Sequence, residues 1–570
     1  MNPFILDRML DRLQNEPVNA DAPKPNQGLT VGEFILEQLG AWGVRRIYGV
    51  IGDTNLYLLD DIAKQNKIQY VPFLDENAAA LAASAEAKLT GRVAVVLGTS
   101  GPGLVNMLNG LGDAYADRAG VLAITGQVDI KKLGTHTKQY IQQQQAVTPI
   151  AAYSELLADP DALPDVLHRF LVMSTVKGGV THLSVPKFMF RAAVTGTVAP
   201  YPPHFHQTLL APPRDVEETF RLIAEAKKPM FLFGRGAEGL TDFAVQLAER
   251  CGAAVATTMP AKSIFPNDHE LYVGGLGLAG SEAASVLMGE SDLVVMLGAT
   301  WWPDEYTPPS ARVVQIDAAR ENIGVGHPLA RGLVGDLRDI MPRFVQLAAA
   351  TRSDGADRDR DAWRRRTAEE RRRWNARIAE EASQSGTPIA PQRIMRTIAE
   401  SVADDCIIAL DTGDHSLWFN RIFAFRGPEQ QVVMSGRWRT LGFALPAAIA
   451  AKLSHPHRQV VAIAGDGGVV QTLIELKTAV KLGLAMTIVV LNNRSYAIEM
   501  NRMKLEGLHT IGSTLDNPDF AAIAKACGAI GLKASTQDEF RTALGEALRA
   551  DRPALVEVDT DPLQVPHTKI

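Results

Sequence analysis

Cysteine is almost absent. Cys251, Cys406 and Cys527 are the only three in 570 residues, and no two stand in a CxxC spacing. A disulfide-stapled fold is therefore excluded, and reduced thiols in a cytoplasmic setting are expected. Long apolar runs are missing too. No stretch reaches the roughly 18 residues that a membrane span needs, and the longest candidate, 441–453, is interrupted by Pro446. The first residues, MNPFILDRMLDRLQNEP, place acids and bases between their apolar positions, which no secretory leader does. Nor is there an excess of one charge. Fifty-eight Lys and Arg stand against 64 Asp and Glu, a formal net charge of −6, which argues against a nucleic-acid partner.

What is present is globular. Hydrophobic residues make up 46% and charged residues 21% of the chain, and at about 100–200 residues per domain its length predicts three or four domains. Residues 1–28 read as an arm, a short amphipathic or loose start followed by the Pro- and Asn-rich linker NADAPKPNQGL. From Thr30, helical stretches alternate with short apolar runs: GEFILEQLGAWG then RRIYGVIG, ENAAALAASAEAKLTG then VAVVLG. This alternation predicts an α/β fold of parallel sheets covered by helices. The proline-rich bridge VAPYPPHFHQTLLAPP follows a first domain at 29–200; a second spans 206–350, a charged helical linker 351–390, and a third alternating domain 391–570. Acids interleave with the basic run of the linker, so it reads as a solvated helix with i,i+4 pairs.

RVAVVLGTSGPGLVNMLNGL (92–111) and QVVAIAGDGGVVQTLIELKTAV (459–480) share one plan: a β-branched strand, a glycine-rich turn at its carboxyl end, then a helix. Ligands of open α/β sheets bind at such strand ends. The two segments read either as related modules facing one ligand or as two ordinary α/β units. In the later one, Gly465, Gly467 and Gly468 let backbone N–H groups approach a phosphate, and Asp466 supplies a hard carboxylate. Asn493 follows 27 residues after Asp466, at the end of the strand MTIVVLNN. One Asp, one Asn and a loop carbonyl beside a diphosphate suit magnesium, which keeps phosphate oxygens and water among its ligands. A GDG alone is a plain turn; the strand end and the distant Asn pair give it the sharper reading.

This spacing is similar to the diphosphate-binding motif of thiamine diphosphate enzymes. The chain resembles their pyruvate oxidase and acetolactate synthase group over nearly its whole length after residue 28. The resemblance implies three α/β domains, pyrimidine-binding, central and diphosphate-binding, with thiamine diphosphate and Mg2+ as cofactors. It makes Asp466, Asn493 and the backbone carbonyl of Ser495 the metal ligands. DTGDHSLW (411–418) looks like the segment beside the diphosphate and nominates Asp414 and His415. TLGFALPAA (440–448) looks like the stretch whose bulky residue, here Leu441, wedges the cofactor into a bent shape. LDENAAALAASAEAKLTG is similar to the segment in which a glutamate opens an alanine-rich helix, so Glu76 is the expected catalytic acid. In the family that acid shares its proton with the pyrimidine ring, and the cofactor then acts as its own base before a 2-oxo acid loses carbon dioxide. Without the resemblance, Glu76 is an acid at a helix N-terminus and Leu441 a core leucine. TSGPG (99–103) and Gln139 match further active-site segments.

FGRGAEG (233–239), GGLGLAGSEAA (274–284), LGATWWPDEYTP (297–308) and VVQIDAARENIG (313–324) resemble the central domain of FAD-containing members. FAD is implied there, while some relatives keep this domain without flavin or bind another adenine nucleotide. Asp317 ends the strand VVQID, as an acid near a ribose does or as a cap for the next helix does. Four features depart from the family pattern. Asp75 stands where close relatives usually have histidine. Lys138, taken with Glu76 and Gln139 as a catalytic-site residue, replaces a residue that is commonly aromatic. Arg439 lies where relatives often have the glycine whose carbonyl receives the cofactor's amino group. After Asn493, RSYAIEMNRMK lacks the aromatic pattern of flavin-reducing oxidases. Lys138, Arg439 and Arg494 read either as a receptor for a second anionic group or as solvated rim charges.

The expected function is decarboxylation of a small pyruvate-like 2-oxo acid, with transfer of the carbanion to an acceptor as in acetolactate synthase. An FAD-linked pyruvate oxidase and a non-catalytic thiamine diphosphate-binding homologue are the alternatives. The resemblance also implies a homodimer or homotetramer with the cofactor at the subunit interface.

Overall fold

The structure is a computed structural model that describes residues 28–277, 279–300, 306–350 and 357–566. The expected amino-terminal arm up to residue 27, residues 301–305 of the WWPDE stretch and the first residues of the charged linker, 351–356, lie outside the described residues.

Thr30 opens the first domain with a capping box. Its hydroxyl accepts from the Glu33 N–H, and the Glu33 carboxylate accepts from the Thr30 N–H, which starts the helix Val31–Ala41. The first sheet comprises β1 (Arg46–Gly49), β2 (Gln69–Pro72), β3 (Ala94–Gly98), β4 (Val121–Gln127), β5 (Tyr153–Leu156) and β6 (Val180–Pro186), in the order β2-β1-β3-β4-β6-β5. The central sheet comprises β7 (Pro229–Phe233), β8 (Ala254–Thr257), β9 (Tyr272–Gly275), β10 (Leu293–Leu297), β11 (Arg312–Asp317) and β12 (Arg331–Val334), in the order β12-β11-β10-β7-β8-β9. The third comprises β13 (Ile407–Leu410), β14 (Gln431–Met434), β15 (Val460–Gly465), β16 (Thr487–Asn492), β17 (Ile530–Ala534) and β18 (Ala554–Asp559), in the order β14-β13-β15-β16-β18-β17. All their pairings are parallel, so the expected α/β class of three parallel-sheet domains is what the chain forms.

The first and third sheets have the same strand order, and the two look-alike glycine turns follow β3 and β15, the third strand of each. The central sheet has the doubly wound order that reverses direction between β7 and β10. Strands such as β3, β4 and β10 are buried along their whole length, as parallel strands covered on both faces must be.

Alanine explains how the first and third domains join. In the helix Glu76–Thr90, eleven of fifteen residues are buried, most of them alanine, and Gly91 ends it in the left-handed conformation. Small side chains let two other helices approach closely. A Cβ on Gly110 of the helix Pro102–Ala116 would stand 2.5 Å from the Ala80 Cβ. The helix Ala444–Ser454 packs on it from the third domain, and all three contribute to one continuous apolar core.

The charged helix Asp357–Ser383 differs from the expectation of a solvated rod. It has the expected i,i+4 pairs, Arg366–Glu370 (2.5 Å) and Arg377–Glu381 (3.1 Å). Yet Trp363, Thr367, Glu370 and Trp374 form a buried stripe, and the two tryptophans sit in the core of the central domain. Glu381 also pairs with Arg421 of the third domain at 2.5 Å. The helix is a strap between two domains. Among the described residues no helix is long and apolar enough to cross a membrane.

Candidate functional site

β15 ends at Gly465, and the chain turns into the short helix Asp466–Val469. The turn is closed in on three sides: a Cβ on Gly465 would stand 3.0 Å from His415 Nδ1, on Gly467 2.5 Å from the Tyr496 ring, and on Gly468 3.1 Å from Asp411 Oδ2. Only bare backbone fits there. Asp466 is buried; its Oδ1 accepts from the Gly467 N–H (2.9 Å) and its Oδ2 from Asn517 Nδ2 (2.7 Å), which also donates to Asn492 Oδ1 (2.9 Å). Burial pushes the Asp466 carboxyl above its ordinary range, against the Asn517 amide and backbone N–H donors that include Arg494 and Ser495. Asn493 Oδ1 accepts from Ser495 N–H (3.0 Å) and Oγ (3.1 Å), and Arg494 between them has φ +53°. Asp466, Asn493 and Ser495 thus gather at the carboxyl ends of β15 and β16.

The neighbouring strand end, after β13, brings Asp411, Asp414 and His415. Asp411 accepts from the Gly442 N–H at 3.0 Å and ties the Leu441 segment to the turn; Leu441 itself is half-buried. Burial raises Asp411 to about 7 in spite of its backbone donors, and raises Asp414, bonded to Trp418 Nε1 at 3.0 Å, to about 7. His415 is lowered to about 4 by burial, and its Nε2–H donates to the Asp411 carbonyl at 3.0 Å. Thr412 Oγ1, beside these groups, is buried without a partner among the described residues, as is Ser100 Oγ of the first domain.

A second cluster forms on the first domain. Asp75 caps the helix Glu76–Thr90 by accepting from the Ala78 N–H at 3.0 Å, which gives the aspartate at this position a structural task. Glu76 is buried, its Oε2 accepts from Asn106 Nδ2 at 3.2 Å, and a Cβ on Gly103 of the TSGPG turn would stand 3.1 Å from its Oε1. Gln139, with φ +63°, rests its backbone on the same turn, 2.5 Å from where a Cβ on Gly101 would stand; Lys138 and Gln139 are exposed. Glu76 makes no hydrogen bond to the third domain among the described residues. The link across is made next to it, where Glu475 Oε1 accepts from the Leu74 and Asp75 N–H groups (3.0 and 3.1 Å).

Arg439 and Asp317 belong to a third place. A cavity of about 900 Å3 opens where the central sheet reverses, and all three domains line it. Its walls include the turns after β7 and β10, where Gly234 and Gly298 interlock so closely that a Cβ on Gly234 would collide with the Gly298 carbonyl. Asp317 ends β11 there; its Oδ1 accepts from the Ala319 N–H (2.8 Å) and Asn322 Nδ2 (2.9 Å), and Asn322 in turn binds Arg118 of the first domain. Arg439 has φ +58°, its guanidinium is lowered by burial, and among the described residues its side chain bonds Ser416 Oγ, at 3.4 Å. Lys138, Arg439 and Arg494 each lack an ion-pair partner among the described residues, and of the three only Arg439 lines this cavity.

The residues therefore assemble as three clusters: Asp466, Asn493, Ser495, the Gly465–Gly468 turn, Asp414 and His415; Glu76 with Gln139 and Lys138; and Asp317 with Arg439. Sequence reasoning did not single out Asn517, Asn106, Glu475 or Thr412. Thr412, Asn106 and Glu475 lie inside quoted segments, but the groups that Glu475 bonds are about 400 positions away, and Asn517, outside every quoted segment, acts across 51. No group of three or more His, Cys, Asp or Glu among the described residues is arranged to hold a metal ion. One carboxylate, one amide oxygen and a carbonyl leave a cation short of ligands, a set that suits magnesium completed by phosphate and water.

Three family models match the chain: the N-terminal TPP binding domain of thiamine pyrophosphate enzymes over residues 29–147, their central domain over 216–344, and their C-terminal TPP binding domain over 411–558. A Bacillus subtilis (strain 168) protein, YdaP, named as thiamine pyrophosphate-containing, is 34% identical over 531 residues, 93% of this chain and 91% of its own. The acetolactate synthase large subunit of Haemophilus influenzae is 27% identical over 560 residues, 94% of this chain and 95% of its own. The sulfoacetaldehyde acetyltransferase of Castellaniella defragrans is 27% identical over 552 residues, covering 92% and 91%.

Proposed function

Because the chain belongs to the thiamine pyrophosphate enzyme family, in its acetolactate synthase and pyruvate oxidase group, we propose that it decarboxylates a pyruvate-like 2-oxo acid and passes the remaining fragment to a carbonyl acceptor, in acetolactate synthase-like carboligation. The observation that carries this reading is the pair of equivalent strand-end turns on two sheets of identical strand order, one (after β3) packed against buried Glu76 and the other (after β15) carrying Asp466. Residues on both sides fit thiamine diphosphate: the orphaned hydroxyls of Thr412 and Ser100 want partners, and the glycine turn at 465–468 admits nothing bulkier than backbone. Bound there, the cofactor supplies an electron sink for the carbanion that decarboxylation leaves.

The chain's own residues then have distinct tasks. Asp466, Asn493 and the Ser495 carbonyl would hold Mg2+, which would neutralise the charge of the diphosphate. Burial lowers His415 to about 4, which keeps it neutral near pH 7, and raises Asp414 to about 7, so Asp414 carries less negative charge beside the diphosphate than an ordinary aspartate does. Leu441 would pack against the cofactor between its pyrimidine and diphosphate ends. Glu76, screened from water and held at Oε2 by Asn106, keeps a proton at the pyrimidine end. Gln139 and Lys138, exposed in the single chain, face the partner of a C2 dimer, alone or doubled to a tetramer. The alternative, a flavin acceptor as in pyruvate oxidase, needs FAD at the central switch point, and the cavity of about 900 Å3 there is of the size of cofactor pockets, which run to about 1,000 Å3.

Purified protein with thiamine diphosphate and Mg2+ is expected to release carbon dioxide from pyruvate and form an acetolactate-type product. Glu76→Gln should still bind thiamine diphosphate yet lose nearly all turnover. Equal turnover in both forms overturns the mechanism, and absent turnover in the wild type favours a non-catalytic homologue. Anaerobic mixing with pyruvate separates the acceptors, because only an oxidase bleaches its flavin in step with decarboxylation.

A further inference from the structure

Asn420 stands on the helix Asp414–Ile422 at the wall of the three-domain cavity, 2% exposed, and neither its Oδ1 nor its Nδ2 has a hydrogen-bond partner among the described residues. Its neighbours fix it in place without satisfying it. The Lys262 ammonium donates to the backbone carbonyl of Asn420 and, at 3.5 Å, to that of Phe419. On the other side the amide lies against Gly275 at the end of β9, where any Cβ would collide with Oδ1. Gly275 makes room for the amide and has no side chain with which to bond it. Leu417, one turn earlier, lines the same wall.

A buried amide that has given up water is destabilising unless something replaces it, and folded proteins keep such groups paired. An amide presents a donor and an acceptor side by side, so its complement is a rigid edge bearing an acceptor beside a donor. We propose that Asn420 pairs with the edge of a heteroaromatic ring of the cavity's occupant, the pyrimidinedione of a flavin or the adenine of a nucleotide. This rests on the reading of the cavity as a nucleotide site and is independent of which acceptor the decarboxylation uses.

The test titrates apoprotein, stripped of bound nucleotide, with FAD, FMN and ADP by calorimetry, for the wild type, Asn420→Leu and Asn420→Asp. The unfolding temperature of each apo form is measured alongside. The ligand that binds the wild type most tightly is expected to bind Asn420→Leu about 10–100-fold more weakly, the worth of one or two hydrogen bonds. Apo Asn420→Leu should unfold at no lower temperature than the wild type, because leucine replaces two unpaired polar atoms. Asn420→Asp, which keeps an acceptor and loses the donor, should also bind more weakly. Loss confined to FAD and FMN identifies the flavin ring as the partner; loss shared by FAD and ADP but spared for FMN identifies adenine. Equal affinity in wild type and Asn420→Leu overturns the pairing and leaves the nucleotide site standing. A large drop in apo stability also overturns it, since Asn420 would then be structural. Binding of none of the three to the wild type overturns both readings of the cavity, while pyruvate decarboxylation by the same preparation reports separately on the thiamine site.

Discussion

Replacing Lys88 with methionine tests whether charge holds the junction of the first and third domains. Lys88 lies in the last turn of the helix Glu76–Thr90, with its side chain 2% exposed and its ammonium 2.7 Å from both Asp113 Oδ2 and Asp117 Oδ2. It also donates to the Met434 carbonyl at 3.0 Å and sits 4.8 Å from the Phe443 ring centre, both on the third domain. Burial raises the Asp117 carboxyl, but the Lys88 ammonium and the N–H groups of Gly436 (2.7 Å) and Arg437 (2.8 Å) outweigh it and hold Asp117 below its ordinary range. Methionine keeps the length and apolar stem and deletes the charge. Two buried carboxylates then face each other without a cation, a kind of loss that costs about 3–5 kcal/mol. Asp117 keeps its backbone donors and Asp113 keeps Ser84 Oγ (2.6 Å), so about 3 kcal/mol is expected near neutral pH. Without the ammonium, the burial that raises the Asp117 carboxyl is less fully opposed, so the variant's folded state takes up a proton there more readily than the wild type's and its deficit shrinks as pH falls. Equilibrium urea unfolding of wild type and Lys88→Met at about pH 8 and about pH 5 measures this. A loss under about 1 kcal/mol, or one that is the same at both pH values, would refute the reasoning.

Asp466→Ala removes the carboxylate proposed for Mg2+; calorimetry should show thiamine diphosphate affinity falling at least about tenfold and no longer responding to Mg2+, and an unchanged response would count against the site. Arg439→Gly relieves a left-handed residue that Arg439→Ala keeps, so the glycine variant should be more stable than the alanine one by about 1 kcal/mol; identical urea midpoints would remove the strain argument. His182 is fully buried between Thr125 Oγ1 (2.7 Å) and Ser154 Oγ (2.8 Å), and burial lowers it from 6.5 to about 3. The folded state refuses a proton that the unfolded state accepts, so between those values the wild type should lose about 1.4 kcal/mol per unit as pH falls. His182→Gln should lack this contribution; parallel slopes for the two proteins would show that the imidazole is not the group responsible.

The alternation of helix and strand was legible because each local run carries its own period, and the three parallel sheets bear it out. Strand order was not legible, since nothing local to β3 or β15 says that each is the third strand of an equivalent sheet. The kinship of the two glycine turns was visible as shared pattern and needed topology to become equivalence. The charged helix was misjudged for a specific reason. Trp363, Thr367, Glu370 and Trp374 recur at helical spacing, but two of the four are polar, so the stripe was outvoted by the arginines around it. Asn420 was beyond sequence reasoning altogether, because being unpaired is a property of the neighbours, and those come from β9 and from Lys262.

Backbone strain supplies an independent pointer to the same places. Among the described residues, five other than glycine have positive φ: Arg118, Gln139, Ala279, Arg439 and Arg494. Each such conformation costs about 1–3 kcal/mol and persists only where surroundings over-determine it. Gln139 is pressed on the turn beneath Glu76, and Arg494 sits between Asn493 and Ser495, where its carbonyl accepts from the Leu515 N–H at 2.8 Å. Arg118 and Arg439 line the central cavity, and Ala279 lies two residues beyond Gly277 of its wall. A scaffold under no functional demand would place glycine at these turns, as it does at Gly91 and Gly178. Arg118 and Arg439 put cations on the wall of the cavity and Arg494 puts one between Asn493 and Ser495, so side-chain charge, retained at the expense of backbone ease, gives a reason for non-glycine residues at these positions.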